Sequence, residues 1–399
     1  MNSQQSWKTV LVILSLSSIL MSVSYTMLIP FLPMYLMQEL GVAQSDVNIW
    51  SGVIFSASFL ISGIMAPIWG AMADKKSRKL MAVRAAVLLA ISYALGGIVQ
   101  DPWQLLAMRC FQGFAAGLWP ACLAIMASNA PRDKVGLCMG TMQGAMTAGG
   151  VLGPLAGGVL AEAFDMRTTF FLGGAALFVI TLLLIFFIKE PKRKPQEKKE
   201  SASKEKTNLL KIPVVQRMLL CAGIVQLTIL LQQPVMPLYV GELQGSMDRI
   251  VFVTGLLFSI TPVWGVIGQR WGFRPALYTA LFGTAVFGMI QAIPDTLVPF
   301  GIWRFIGGLT FAGIFPAINA VLTNSTNPED RGRIFGLSYA AQQVGSVIGP
   351  ILGGALAMWF GIKFVVFFSG FVLLPLVIFL YLRRPKEETS TKGNEAKLG

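Results

Sequence analysis

Apolar runs of about 20 residues, separated by short polar stretches, recur about twelve times along the chain. That length lets a helix cross the hydrocarbon core of a bilayer. The pattern predicts spans over residues 10–35, 48–72, 80–99, 103–127, 137–164, 168–188, 214–240, 250–268, 275–293, 297–322, 334–360 and 364–382. These runs lack the polar face that a soluble helical array would expose. The first follows only eight residues, is too long for a signal-peptide core and lacks a small-residue cleavage site, so it reads as a retained span. The fold class expected is an all-α integral membrane protein with twelve transmembrane helices.

One long stretch breaks the pattern. Residues 189–211 carry thirteen charged side chains in twenty-three and cannot bury a core. They divide the chain into a six-helix bundle over 1–188, a linker over 189–211, a second six-helix bundle over 212–384 and a disordered tail over 385–399. The halves echo one another: Pro30–Tyr35 (PFLPMY) matches Pro234–Tyr239 (PVMPLY), and a glutamate follows each, Glu39 and Glu242. Arg109–Gly117 (RCFQGFAAG) matches Arg304–Gly313 (RFIGGLTFAG). Gly149–Gly158 (GGVLGPLAGG) returns as Gly345–Gly354 (GSVIGPILGG). Matched features in the same order describe two pseudo-symmetric bundles, with a substrate site between them near the membrane midplane.

Composition agrees: the 399 residues are 54% hydrophobic and 13% charged, with mean hydropathy +0.66. Charge sets an orientation. With both termini cytoplasmic, 26 of the 32 Lys and Arg fall on that side; Arg167, Arg249 and Lys363 lie outside and Arg84, Arg109 and Arg304 within spans. The net charge of +13 therefore reads as topology and attraction to anionic lipid, with no nucleic-acid partner. The four cysteines fall in or beside apolar spans without metal or disulfide spacing. Without histidine, proton chemistry falls to carboxylates.

These residues resemble the major facilitator superfamily, and within it the twelve-span drug:proton antiporters. Gly70–Leu80 (GAMADKKSRKL) is similar to the signature between the second and third spans, with Asp74, Arg78 and Lys79 in register; Ser77 replaces a glycine and Lys75 an arginine. The resemblance implies that this cluster is a latch for one access state, with Arg84 as a latch partner or a snorkelling residue. Arg109, Gln112 and Gly113 match the fourth-span motif. That match implies proton coupling for Arg109, biasing the protonation of a carboxylate, with Arg304 as its counterpart; snorkelling to the outer interface is the alternative for both.

The string at Gly149, Gly153, Pro154 and Gly157 matches the fifth-span antiporter signature, which implies export. Glycines four apart form a smooth stripe where a helix backbone approaches closely. With Gly345, Gly349, Pro350 and Gly353, the string reads as a pair of bent sliding contacts between the two bundles. The proline is tolerated because neighbouring helices satisfy the freed carbonyl.

Polar residues within spans are mostly neutral. Gln112, Gln143, Gln226, Gln233, Asn319, Tyr339 and Gln343, with Trp119, Met146 and Phe311, are the candidates for an adaptable, largely apolar cavity. No carboxylate lies near the middle of a span; Glu39, Asp74, Glu162 and Glu242 are the candidate proton carriers, Glu39 and Glu242 also reading as surface residues. The resemblance implies a monomeric, proton-coupled exporter of hydrophobic or amphipathic small molecules in a bacterial cytoplasmic membrane. It needs no cofactor beyond the proton gradient and is not an enzyme. A dedicated exporter of one metabolite, such as a siderophore, and an uptake symporter are the alternatives.

Overall fold

The computed structural model describes residues 6–75, 77–131, 133–189, 209–245, 253–254, 257, 273–326 and 330–383. Its described elements are helical, with no strand among them. Among the described residues ten helical segments, some of them broken into two helices, are long and apolar enough to cross a bilayer, and an eleventh apolar helix, Pro275–Ile290, is shorter. The expected eighth span lies almost wholly outside the described residues. Large apolar side chains such as Val298 and Leu382 remain exposed on the outer faces, as lipid-facing positions require.

Prolines explain why several spans come in two pieces. The first span is α1 (Trp7–Thr26) and α2 (Leu32–Gln38), separated by turns at Pro30 and restarted with Pro33 in the first turn of α2. A proline is tolerated there because that N–H has no helical acceptor. Next come α3 (Val47–Lys75), α4 (Arg78–Ile98), α5 (Pro102–Ala115), α6 (Leu118–Asn129), α7 (Val135–Ala163) and α8 (Met166–Phe187). Ser77, Asp101 and Asp165 cap α4, α5 and α8, each accepting a backbone N–H three residues on. The fifth and sixth helices together form the fourth span, which breaks at Ala116–Gly117.

The second half repeats this plan. Its described helices are α9 (Pro213–Gln232), α10 (Met236–Gln244), α11 (Phe273–Ile290), α12 (Leu297–Phe311), α13 (Ile314–Asn324), α14 (Arg331–Phe360), α15 (Ile362–Phe371) and α16 (Leu373–Leu382). The pair α9–α10 mirrors α1–α2, breaking at Pro234 and restarting with Pro237 in the first turn. Pro67, Pro154 and Pro350 sit inside α3, α7 and α14, all of which remain continuous.

Packing follows the repeat. In the first half α1 packs on α7 and α4 on α8; in the second, α9 packs on α14 and α11 on α15. Phe170 anchors the first core, with its ring centroid 5.7 Å from Phe31, 5.1 Å from Tyr35 and 6.4 Å from Tyr93. The buried hydroxyls find acceptors: Tyr35 donates to Gly96 O and Tyr93 to Ser24 O, both at 2.8 Å.

The glycine stripes belong to this packing, not to a boundary between bundles. A Cβ on Gly149 would stand 2.5 Å from Ile19 O, and one on Gly153 or Gly157 would overlap Thr26 or Met27, all on α1 or the turn after it. Likewise Gly345, Gly349 and Gly353 face Gly223, Leu227 and Leu231 of α9. The expectation that both strings slide between halves is corrected for their glycine stripes, each of which lets the two long helices of one half touch backbone to backbone, whereas Pro350 and Gly354 of the second string do face the other half.

The halves meet elsewhere. At one end of the molecule Gly52 of α3 lies against the Pro350 carbonyl, Gly354 of α14 lies against Asn48 O, and Ser56 Oγ donates to Val347 O at 2.7 Å. At the same end α2 touches α10. At the other end Gly63 and Gly70 of α3, Gly140 and Gly144 of α7 and Gly336 of α14 face space, with no heavy atom within 4 Å among the described residues. Among the described residues the halves meet at one end and part at the other.

Candidate functional site

Arg109 sits inside the first half with 4% of its surface exposed. Its position on α5 puts Gln112 one turn away on the same face, and Nη1 donates to Gln112 Oε1 at 2.9 Å. The guanidinium lies 5.8 Å from the Phe55 ring centroid and within electrostatic reach of Tyr25 and Tyr93. Nε and Nη2 make no hydrogen bond, and no described carboxylate pairs with the group. The carboxylate that Arg109 was expected to bias is not at its side; an amide and two phenols are. Gln112, expected in the cavity, is 4% exposed and engaged with Arg109. Membrane-buried arginines need partners or a wet cavity because a lone charge there is costly.

Arg304 on α12 follows the same plan in the second half. Its Nη1 donates to Gln232 Oε1 at 3.3 Å across to α9, and it lies 6.0 Å from the Phe300 ring. Gln232 in turn donates to Ser369 Oγ. Both arginines therefore donate to a glutamine, one on its own helix and one on a neighbour.

Two basic residues after α3 donate to helices of the first half. Arg78 donates to Ala124 O at 2.9 Å, near the C-terminus of α6, and Lys79 to Ile185 O at 2.7 Å, near the C-terminus of α8. Ile185 O lies in the last turn of α8, where carbonyls lack helical donors and a cation complements the helix dipole; Ala124 O, one turn further in on α6, takes Arg78 as an additional donor. The side chain of Asp74 lies outside the described residues. Arg84 reaches away from the cluster: its guanidinium lies 3.7 Å from the Trp69 ring centroid, and Nη2 donates to Ala116 O at 2.9 Å.

The remaining candidate carboxylates separate clearly. Glu39, read from the sequence as a candidate proton carrier or a surface residue, accepts from Arg167 Nε at 2.7 Å, and Arg167 Nη1 also donates to Gly97 O and Val99 O. Glu162 is exposed at the end of α7. Glu242 lies on α10 at the sealed end, where partial burial raises its pKa above the usual carboxylate range.

The cavity candidates distribute over both halves. In the first half Trp119 is half-buried on α6, and Met146 and exposed Gln143 lie on the open-end part of α7 beside Gly140 and Gly144. In the second half Gln226, Gln233, Asn319 and Gln343 are half-buried, Phe311 stacks edge-on to Phe315 at 6.2 Å, and Tyr339 is 56% exposed. A separate apolar cavity of about 440 Å³ lies between α11 and α15, lined by Met289, Ile290 and Phe364, and includes none of these residues. Tyr25 was missed by the sequence reading; it is within electrostatic reach of Arg109 and Tyr93 in its own half and Tyr339 in the other. The only local signal was a phenol in a serine-rich span, which does not distinguish it from an interfacial tyrosine.

Comparison with known proteins agrees with this architecture. The Major Facilitator Superfamily model matches residues 14–261 and 218–398. The chain is 33% identical over 378 residues, 92% of each protein, to "Multidrug resistance protein MdtG" of Escherichia coli O1:K1 / APEC. Among solved structures, a bacterial homologue of the human lysosomal transporter Spinster, inward-facing and occupied, superposes with TM-score 0.80 at 15% identity, covering 94% of this chain and 96% of that one. The nucleoside transporter NupG superposes with TM-score 0.74 at 15% identity, covering 97% and 100%. Two repeated helical halves, sealed at one end and parted at the other, and a family match over nearly the whole chain place this multi-pass membrane protein in the Major Facilitator Superfamily.

Proposed function

We propose that the protein exports hydrophobic or amphipathic small molecules by alternating access, driven by proton entry. The observation that carries this reading is the glycine–proline string on α7, the antiporter signature, set in a chain 33% identical to a protein named for multidrug resistance. The two halves, residues 1–188 and 212–384, would act as rocking units joined by the charged linker. The basic excess on the side bearing both termini makes that side cytoplasmic. The sealed end then faces outward, and the state described here is open to the cytoplasm.

The supporting chemistry is that of a neutral cavity. Amides, aromatics and methionine offer a surface that adapts to amphipathic cargo without demanding one shape. Asp74, Glu162 and Glu242 remain the proton-carrying candidates, since Glu39 is engaged by Arg167. The protein works in this reading as a monomer in a bacterial cytoplasmic membrane, needing only the proton gradient.

The test uses everted membrane vesicles that carry the protein and a proton gradient, challenged with cationic, neutral and anionic dyes. Dye accumulation that collapses on adding an uncoupler, together with dissipation of the gradient on adding dye, is the expected result. Accumulation that survives the uncoupler sinks the antiport reading.

A further inference from the structure

The fourth span is broken where it carries chemistry on both sides. Helix α5 ends at Ala115, α6 begins at Leu118, and Gly117 between them has φ +113°, a backbone region that favours glycine. Pro120 has no N–H, so the Ala116 carbonyl lacks the donor that a continuous helix would give it. Two side chains from other spans supply donors at the break: Trp69 Nε1 to Phe114 O at 2.8 Å and Arg84 Nη2 to Ala116 O at 2.9 Å. They also hold each other, with the guanidinium 3.7 Å from the indole centroid.

The repeat shows that this arrangement belongs to one half. At the position 196 residues on, Pro316 likewise leaves Ala312 O without a helical donor, yet Gly313 has φ −80° and Ala280 stands where the first half has Arg84. A proline in this span therefore does not by itself require a cationic partner. In the first half the piece on the sealed side, α5, carries Arg109 and packs on α3 through Gly113, where a Cβ would stand 2.5 Å from Ser58 O. The piece on the open side, α6, carries Trp119 and packs on α4.

We propose that Arg84 and Trp69 are positioning residues that pin a hinge in the fourth span, so that α6 tilts against α5 as the open end closes. Both donate from side chains anchored on α3 and α4, and both bonds are made in the state whose open end is parted, so that losing either favours the closed one. The proposal rests on alternating access as read above.

The test measures the distance between spin labels at Gly140→Cys and Gly336→Cys, in full-length protein whose four native cysteines are replaced, reconstituted in nanodiscs. This readout needs no cargo. Arg84→Gln should lower the population of the open-end distance at least fivefold and Trp69→Phe, which keeps the ring and removes only the donor, at least twofold. Arg84→Lys should retain most of it. Pro120→Ala restores an N–H for Ala116 O, so Arg84→Gln in that background should change the population less than twofold. The proposal is overturned if neither single variant moves the distribution, or if Arg84→Gln shifts it equally with and without Pro120. Failure of the export reading shows separately, as no dye movement in vesicles carrying the unmodified protein.

Discussion

Arg167 holds three segments with one side chain. Its guanidinium joins Glu39 at the end of α2 to the carbonyls of Gly97 and Val99 at the end of α4, while Tyr35 lies 5.8 Å away. Both charged partners are about 30% exposed, so the ion pair alone counts for little, and the weight falls on the two carbonyls. Charge-assisted bonds to otherwise unpaired carbonyls contribute about 1.5–3 kcal/mol together. Arg167→Met should lower the thermal midpoint of the purified protein by several degrees. Dye transport per folded molecule should stay within twofold, because every partner lies in one half; a larger loss would mean that the clasp also gates. The sequence placed Arg167 outside the membrane and left Glu39 as a proton-carrying candidate or a surface residue. Partners 128 residues apart leave no local trace, whereas Arg109 and Gln112, three residues apart on one helix, were both legible as motif residues, although Gln112 was assigned to the cavity and not to Arg109.

At the scale of helices, the spans themselves were legible because a bilayer forces each backbone polar group into internal hydrogen bonds, and hydropathy reports where that happens. The breaks at Pro30 and Pro234 could be found by matching the halves, since the same two prolines recur. What a glycine stripe touches could not. Its spacing says only that some backbone comes close, and the neighbour proves to be α1 or α9 within the same half. This yields a contrast testable with alanine alone. Gly157→Ala and Gly353→Ala place a methyl into the Met27 and Leu231 carbonyls and should sharply reduce folded yield on size-exclusion chromatography. Gly140→Ala and Gly144→Ala, facing space, should fold as well or better, since alanine is favoured over glycine in a helix by about 1 kcal/mol. Equal yields from both pairs would refute the close contact.

The whole molecule turns on the seam between α3 and α14. Hydropathy and repeats revealed two halves, and the Pro/Gly string pointed to a contact, but which end was closed was not encoded in any local pattern. Access states differ in the arrangement of the same helices, so one sequence must serve both. Among the described residues the seam packs small side chains together and Ser56 donates to Val347 O. Replacing Ser56 and Val347 with cysteines in a cysteine-free background should allow an oxidative cross-link that arrests dye transport and is fully reversed by reductant. Transport that continues in the cross-linked protein would show that this end never opens.

Gly353 and Gly354 are neighbours in sequence, yet one lies against α9 of its own half and the other against Asn48 of the opposite half. The parting line of the molecule thus runs between two adjacent residues of a single helical turn. Enlarging the first should cost the protein its assembly, while enlarging the second should leave an assembled protein that cannot shut. Damage to one dipeptide can therefore be sorted into two kinds of defect by a shift of one position.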